Sequence, residues 1–220
     1  MHDHPEYEAL LLPIYRQFCK DGDTSVFIQG ISKRYMTATL ERLLEYGSRT
    51  ARRAATHALG LVGDFTVNDQ LGRRMSDEDR GVRLLAEQLI RDVWFRDGTT
   101  AQRHHLLRIQ RLNSEGRAHE AVSQATMLIE RAPGLAEAWN QRAVGRSIQE
   151  DHGRSHHDYH QALELNPYHF NAAVNMGHCL LELKDRHAAL ECFQRALKLN
   201  PNLEAVRARI ALLQRALEDK

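Results

Sequence analysis

Two nearly identical strings decide the fold: ALELNP at residues 162–167 and ALKLNP at residues 196–201. The strings lie 34 residues apart, and a third proline, Pro133, precedes Pro167 by the same interval. Proline lacks an N–H group and its ring collides with the preceding helical turn, so each proline marks the end of a helix. Self-similarity at a fixed period of this length indicates stacked repeats of a small helical unit.

The aromatic and small residues of these segments keep the same period. Tyr159 and Phe193 share one position, and Ser155 and Ala189 share the position four residues earlier. A small residue lets two helices approach, and the aromatic ring one turn later fills the gap on the same face. These features resemble the tetratricopeptide repeat (TPR), a helix-turn-helix of this length. The resemblance implies three units, at about residues 102–135, 136–169 and 170–203.

The segment after Pro201 predicts one further helix. A stack of repeats needs an amphipathic helix to cover the apolar face of its last unit. We therefore expect a C-terminal capping helix here. Its apolar residues recur at helical spacing: Leu203, Val206, Ile210, Leu213 and Leu217.

The N-terminal part of the chain has a different period. Residues 51–59 and 82–90 align without gaps at an offset of 31, and both combine an arginine with small and apolar residues. Each segment follows a predicted helix, over residues 36–46 and 67–75 respectively. This part resembles a pair of short HEAT-type repeats, of the kind also found in phycobilin-lyase-like proteins.

Arg52 and Arg83 occupy the same position of the two HEAT-like segments. The resemblance implies that an arginine at this position pairs with an acidic residue of the neighbouring repeat. Asp79 and Glu87, each four residues from Arg83, are the candidate partners. We favour this structural pairing over ligand binding by the two arginines.

These patterns together predict an all-α fold, a right-handed α-solenoid of helical hairpins with twelve or thirteen helices and no sheet. We expect a HEAT-like helical repeat region over residues 1–98. A TPR domain with its C-terminal capping helix should follow over residues 99–220.

The composition argues against several classes of partner. The chain has 30 Lys and Arg residues against 29 Asp and Glu residues, whereas nucleic acids and anionic membranes attract a basic surface. We therefore expect neither as a partner. Three cysteines do not form a disulfide framework, and Cys179 and Cys192 are expected to be buried small apolar residues. Because residues 1–6 also lack the basic start of a secretory signal, we expect a cytoplasmic protein.

No motif predicts catalysis or a cofactor. The sequence has no Gly-rich phosphate loop and no Gly-x-Ser-x-Gly string. His152, His156, His157 and His160 cluster, and His156 and His160 would share one face of a helix. Neither a nearby cysteine nor a His-Glu-x-x-His arrangement completes a metal site. We therefore expect a non-enzymatic protein with no cofactor and no metal.

The TPR resemblance implies a peptide-binding groove, because the first helix of each unit lines the concave face of such arrays. Asn175 matches a family position whose amide often binds the backbone of a peptide, which suits a group that both donates and accepts. Other family members hold a terminal carboxylate with Lys and Arg. The corresponding positions here carry no cation, so we expect an uncharged mode of binding that depends weakly on salt. The positions of that clamp are occupied by Leu106, Gln110, Asn171 and Asn175. The expected peptide-binding residues are Gln110, Asn140, Gln141, Val144, Asn171, Asn175 and His178.

We accordingly favour a protein–protein interaction scaffold that binds a partner peptide or helix in this groove. Two alternatives remain open at this point. The chain could be an accessory subunit of a modifying enzyme, since its HEAT-like part resembles proteins that assist chromophore attachment. It could also be a metalloprotein that uses the histidines of residues 152–160. The sequence identifies no particular partner and leaves self-association into a homo-oligomer open.

Overall fold

The computed structural model describes residues 4–218, and every regular element in that range is helical. Residues 1–3 and 219–220, which belong to the ends of the two predicted domains, lie outside the described residues. The prediction of twelve or thirteen helices without a sheet is confirmed for residues 4–218. The α-helices are α1 (His4–Asp21), α2 (Thr24–Ser32), α3 (Thr37–Tyr46), α4 (Arg49–Val62), α5 (Asn68–Arg74), α6 (Arg80–Trp94), α7 (Thr100–Ser114), α8 (Ala118–Arg131), α9 (Ala136–Ile148), α10 (His152–Leu165), α11 (Phe170–Glu182), α12 (Arg186–Leu199) and α13 (Glu204–Glu218), with a 3-10 helix at Phe65–Val67.

The helices form two compact units. Unit 1 extends to Val93 and unit 2 begins at Trp94, so the division falls in the last turn of α6. The assignment of a HEAT-like domain and a TPR domain with a boundary at residues 98 and 99 stays a prediction. No helix within residues 4–218 combines the length and the apolar character that are needed to cross a membrane.

Unit 1 is centred on α3 and α4, against which α1 packs, while α2 packs against α1 and α4. Phe18 of α1 stacks on Phe27 of α2 with 4.6 Å between ring centroids, and it meets the ring of His57 in α4 edge-on at 4.7 Å. Helices α4 and α6 approach closely at Gly60, where an added Cβ atom would lie 2.5 Å from the Cβ atom of Leu89. Gly60 thus lets the Leu89 side chain pack directly on α4, which a larger residue would prevent.

The two arginines that align in unit 1 both have internal partners. Arg52 donates to the carboxylate of Asp77 at 3.2 Å and to that of Glu78 at 2.7 Å, so the expected pairing with an acidic residue is present. Arg83 differs from the expectation, since its Nη1 donates to the main-chain oxygens of Asp77 and Glu78. The expected partner Asp79 instead accepts two hydrogen bonds of 2.7 Å from Arg53. Arg52 and Arg53 therefore hold the turn before α6 against α4.

Unit 2 is a series of helical hairpins in which each helix from α7 to α12 packs against the next one. The hairpins are α7–α8, α9–α10 and α11–α12, and they coincide with the three repeats that the 34-residue period predicts. The first helices of the first two hairpins also meet, because α7 contacts α9 directly. Unit 2 is thus an α-solenoid of hairpins, as the sequence predicted.

The last hairpin shows how the repeat pattern produces this packing. Ala189, Phe193 and Ala196 of α12 are fully buried. A Cβ atom at Gly177 in α11 would lie 2.8 Å from the Phe193 ring, so this glycine lets the aromatic side chain fill the space between the two helices. Both helices α10 and α12 end one residue before a buried asparagine and two residues before a proline. The predicted spacing of small, aromatic and small residues is therefore confirmed.

Helix α13 covers the last hairpin. It packs against α12, and its residues Val206, Ile210 and Leu213 join the apolar cluster that contains Phe193. Leu212 lies on the other side of the same helix and is 61% exposed. The predicted amphipathic helix is confirmed.

Candidate functional site

The predicted groove residues lie on α7, α9 and α11, the first helices of the three hairpins. They differ in how far they are accessible. Gln110 and His178 are exposed, whereas Asn140 and Gln141 are buried. The three remaining side chains are half-buried: Val144, Asn171 and Asn175.

The two buried amides belong to a cluster around the carboxylate of Glu137, a residue that the sequence reasoning missed. Asn140 Nδ2 and Gln141 Nε2 donate to Glu137 Oε1 at 2.9 and 2.7 Å. His169, in the turn before α11, lies 2.9 Å from Glu137 Oε2 through its Nε2. Asn113 of α7 donates to both the main-chain oxygen and the side-chain oxygen of Gln141 at 2.9 Å. We call these five residues the Glu137 cluster, and it joins α7, α9 and the start of α11.

The hydrogen bonds define the charges in the Glu137 cluster. Nδ1 of His169 accepts the backbone N–H of Ala172 at 3.2 Å, so the ring proton is on Nε2 and the imidazole is neutral. Each neighbour of the Glu137 carboxyl group then donates to it, which is the pattern of an ionised carboxylate. Glu137 lies in the first turn of α9, where the helix dipole favours a negative charge. The ring of Trp94 stacks on His169 with 4.0 Å between centroids and shields this end of the cluster from water.

Two amide oxygens of the cluster have no hydrogen-bond partner. Oδ1 of Asn113 and Oδ1 of Asn140 are both buried and unpaired. Asn113 Oδ1 faces the backbone of α9, since a Cβ atom at Gly145 would lie 3.1 Å from it. An unpaired buried acceptor costs about 1–3 kcal/mol, so either oxygen would gain from a hydrogen-bond donor.

A second charged cluster lies on the opposite side of α9. Asp158 of α10 is fully buried and accepts from Arg142 Nε and Nη2 at 2.8 and 2.9 Å. Arg146 Nη1 also donates to Asp158, at 2.7 Å. Burial lowers the pKa of Arg146, and the neighbouring charge of Arg142 lowers it further. We call these three residues the Asp158 cluster, and it binds α9 to α10.

His178 of α11 lies near α13. Its ring meets the ring of Phe193 edge-on at 5.1 Å, and Glu182 and Arg209 are its charged neighbours. Although His178 is exposed, partial burial of its ring lowers the pKa and the charge of Arg209 lowers it further, so the imidazole is neutral at neutral pH.

The histidine cluster does not form a metal centre among the described residues. No group of three His, Cys, Asp or Glu side chains in residues 4–218 is placed to hold a metal ion. His157 and His160 are exposed, and His160 lies 3.9 Å from Glu164. Burial raises the pKa of Cys192 to about 11, so this thiol stays protonated at neutral pH and is a poor nucleophile.

The structure therefore defines unit 2 as a series of helical hairpins, and the predicted groove residues lie on the first helix of each hairpin. The sequence of residues 171–203, which form the third hairpin, matches the tetratricopeptide repeat family. The chain thus contains a tetratricopeptide repeat, as the sequence analysis predicted. No curated protein sequence matches the chain.

Two solved structures show the same fold over about half of the chain. The first TPR of Spaghetti (RPAP3) bound to an HSP90 peptide has a TM-score of 0.51 and 19% identity, over 53% of this chain and 93% of that one. The Sgt2 TPR domain from Aspergillus fumigatus has a TM-score of 0.51 and 17% identity, over 55% of this chain and 82% of that one. At this level of identity the likeness establishes the fold alone. The HEAT-like character of unit 1 stays a prediction.

Proposed function

We propose that this protein is a non-enzymatic interaction scaffold that binds a segment of another protein on the groove helices α7, α9 and α11. A cytoplasmic location accompanies this proposal, because Cys19, Cys179 and Cys192 are all free, as is usual in a reducing compartment. The TPR fold supports the proposal by analogy, since the similar RPAP3 structure contains an HSP90 peptide.

The observation that carries the proposal is the half-buried state of Val144, Asn171 and Asn175. The Asn175 side chain is within hydrogen-bonding distance of the Tyr159 hydroxyl, which holds it in place, while the residue as a whole stays partly accessible. An extended peptide has unpaired backbone N–H and C=O groups, and an amide side chain complements both. Val144 adds an apolar contact on the adjacent helix. This combination favours a peptide over a small charged metabolite.

The proposal is tested with short peptides selected from a random display library on the full chain. We expect Asn175→Ala to weaken the binding of these peptides by roughly three- to ten-fold, because one hydrogen bond contributes about 0.5–1.5 kcal/mol. Gln194→Ala is the matched control, since it removes an exposed amide from α12 rather than from a groove helix. Equal affinities of the parent and Asn175→Ala for every selected peptide would contradict groove binding. Thermal unfolding of both variants shows whether the fold is retained.

A further inference from the structure

The chemistry of the Glu137 cluster indicates which kind of partner side chain the groove accepts. Both amide N–H groups that point at the carboxylate, from Asn140 and Gln141, are already used. The hydrogen-bonding atoms that stay unpaired, Oδ1 of Asn113 and Oδ1 of Asn140, are acceptors. A ligand group that enters at Asn140 must therefore be a donor, because a second acceptor would leave both groups unpaired and desolvated.

The same cluster carries a negative charge. Among the described residues, Glu137 has no Lys or Arg ion-pair partner, and its neighbour His169 is neutral. The N-terminus of α9 supplies the equivalent of only about half an elementary charge, so the helix dipole compensates the carboxylate in part. Burial keeps this charge poorly screened by salt. A cationic donor therefore gains more at this place than a neutral one.

The basic side chains of the surrounding helices do not pair with the Glu137 carboxylate. Helix α11, which faces the cluster through its first turn, contains no Lys or Arg. The two arginines of α9, Arg142 and Arg146, donate to Asp158 on the other side of the helix. On α7, Arg103 donates to the main-chain oxygen of Gly98, Arg111 donates to Glu115, and Arg108 is a charged neighbour of Glu120.

We propose that the groove surface at Asn140 is a binding site for a Lys or Arg side chain of a partner protein segment. The inference rests on the proposed function and specifies its partner as a basic segment. The partner cation donates to Asn140 Oδ1 and lies next to the carboxylate of Glu137. Asn140 is 6% exposed and its Oδ1 is enclosed, and it lies one helical turn before the half-buried Val144. The proposed entry of the partner side chain is therefore beside Val144, and it requires neighbouring side chains to move aside.

Peptides selected from a random display library on the full chain test this inference. We expect a Lys or Arg at one fixed position in the peptides whose binding Asn175→Ala weakens. Replacing that residue by Gln should weaken binding to the parent by about ten-fold, since it removes a charge-assisted hydrogen bond. The loss should diminish only slightly between low and physiological salt, because the carboxylate is buried.

Variants of the protein locate the effect. In Asn140→Leu the acceptor is absent, so the basic peptide and its Gln form should differ by only about two-fold, whereas the control Gln194→Leu should retain the full difference. Glu137→Gln should likewise reduce the difference in affinity between the basic peptide and its Gln form. The new amide could place its own N–H group against that of His169, so the melting temperature of this variant is measured to check the fold.

The outcomes separate the two proposals. Groove peptides that are acidic or without charge bias would overturn the basic-segment inference but not the proposed function. The same holds if the ten-fold difference persists in Asn140→Leu. If Asn175→Ala binds every selected peptide as tightly as the parent does, the proposed function itself fails.

Discussion

Helix α13 offers a direct test of how the repeats are stabilised, because buried and exposed apolar residues alternate along it. Ile210 is 9% exposed and packs in the cluster with Phe193, whereas Leu212 is 61% exposed. Truncation of a buried Ile to Ala removes apolar contacts and leaves a cavity, at a cost of about 2–5 kcal/mol. The same truncation at an exposed site changes stability by about 0.5 kcal/mol or less. We therefore expect Ile210→Ala to destabilise unit 2 strongly and Leu212→Ala to leave it nearly unchanged.

The assay must measure the stability of individual helices, because repeat proteins can unfold in stages. Hydrogen exchange of the α12 and α13 amides, compared with those of α9 and α10, reports the local free energy of opening. Ile210→Ala should accelerate exchange in α12 and α13 first. Deletion of residues 203–220 should have a larger effect, because it exposes the Phe193 cluster and removes roughly 1.5–3 kcal/mol for each buried side chain. Equal exchange in the two point variants, or an unchanged and monomeric truncated protein, would refute the packing argument.

Two further predictions follow from buried charged and titratable groups. Asp158→Ala should destabilise unit 2 by about 3–5 kcal/mol in urea unfolding, because it leaves the buried Arg142 and the half-buried Arg146 without their anion. As a control, Glu120→Ala removes an exposed surface partner of Arg117 and should cost about 1 kcal/mol or less. Equal costs of the two substitutions would contradict this account. Burial lowers the pKa of His57 below its usual value of about 6.5, so the unfolded chain binds the proton more tightly than the folded one. Unit 1 should therefore lose stability as the pH falls below about 6.5. His57→Phe should make the melting temperature depend less on pH, and an unchanged pH dependence would refute the role of His57.

The helices and the repeat period could be predicted because they depend on local spacing. The helix predicted over residues 36–46 occurs as Thr37–Tyr46, and the one predicted over 67–75 occurs as Asn68–Arg74. The hairpins of unit 2 follow from the proline interval and from the small and aromatic residues that share its phase. Each of these signals lies within one or two helical turns, so no knowledge of distant contacts is required.

The environment of the groove residues could not be predicted in the same way. Asn140 has the phase of an exposed groove residue, and nothing near it in the sequence indicates that it is buried. Its burial depends on Glu137, whose carboxylate meets His169 across 32 residues of chain. The sequence signal that could have indicated this contact was a carboxylate in the first turn of α9 and a histidine just before α11. Both residue types are common on helix surfaces, so their pairing becomes apparent only when the helices are packed.

The two charged clusters of α9 explain why this helix has one defined position in unit 2. Buried ionic groups contribute little to stability compared with apolar residues of the same shape, because desolvation offsets most of their attraction. They are, however, specific in geometry. The carboxylate of Asp158 accepts from two arginines of α9, and the Glu137 cluster ties the same helix to Asn113 of α7 and to His169. Helix α9 can satisfy both clusters in only one register. For the proposed groove, side chains that are already held in this way need no further ordering on binding, which lowers the entropic cost.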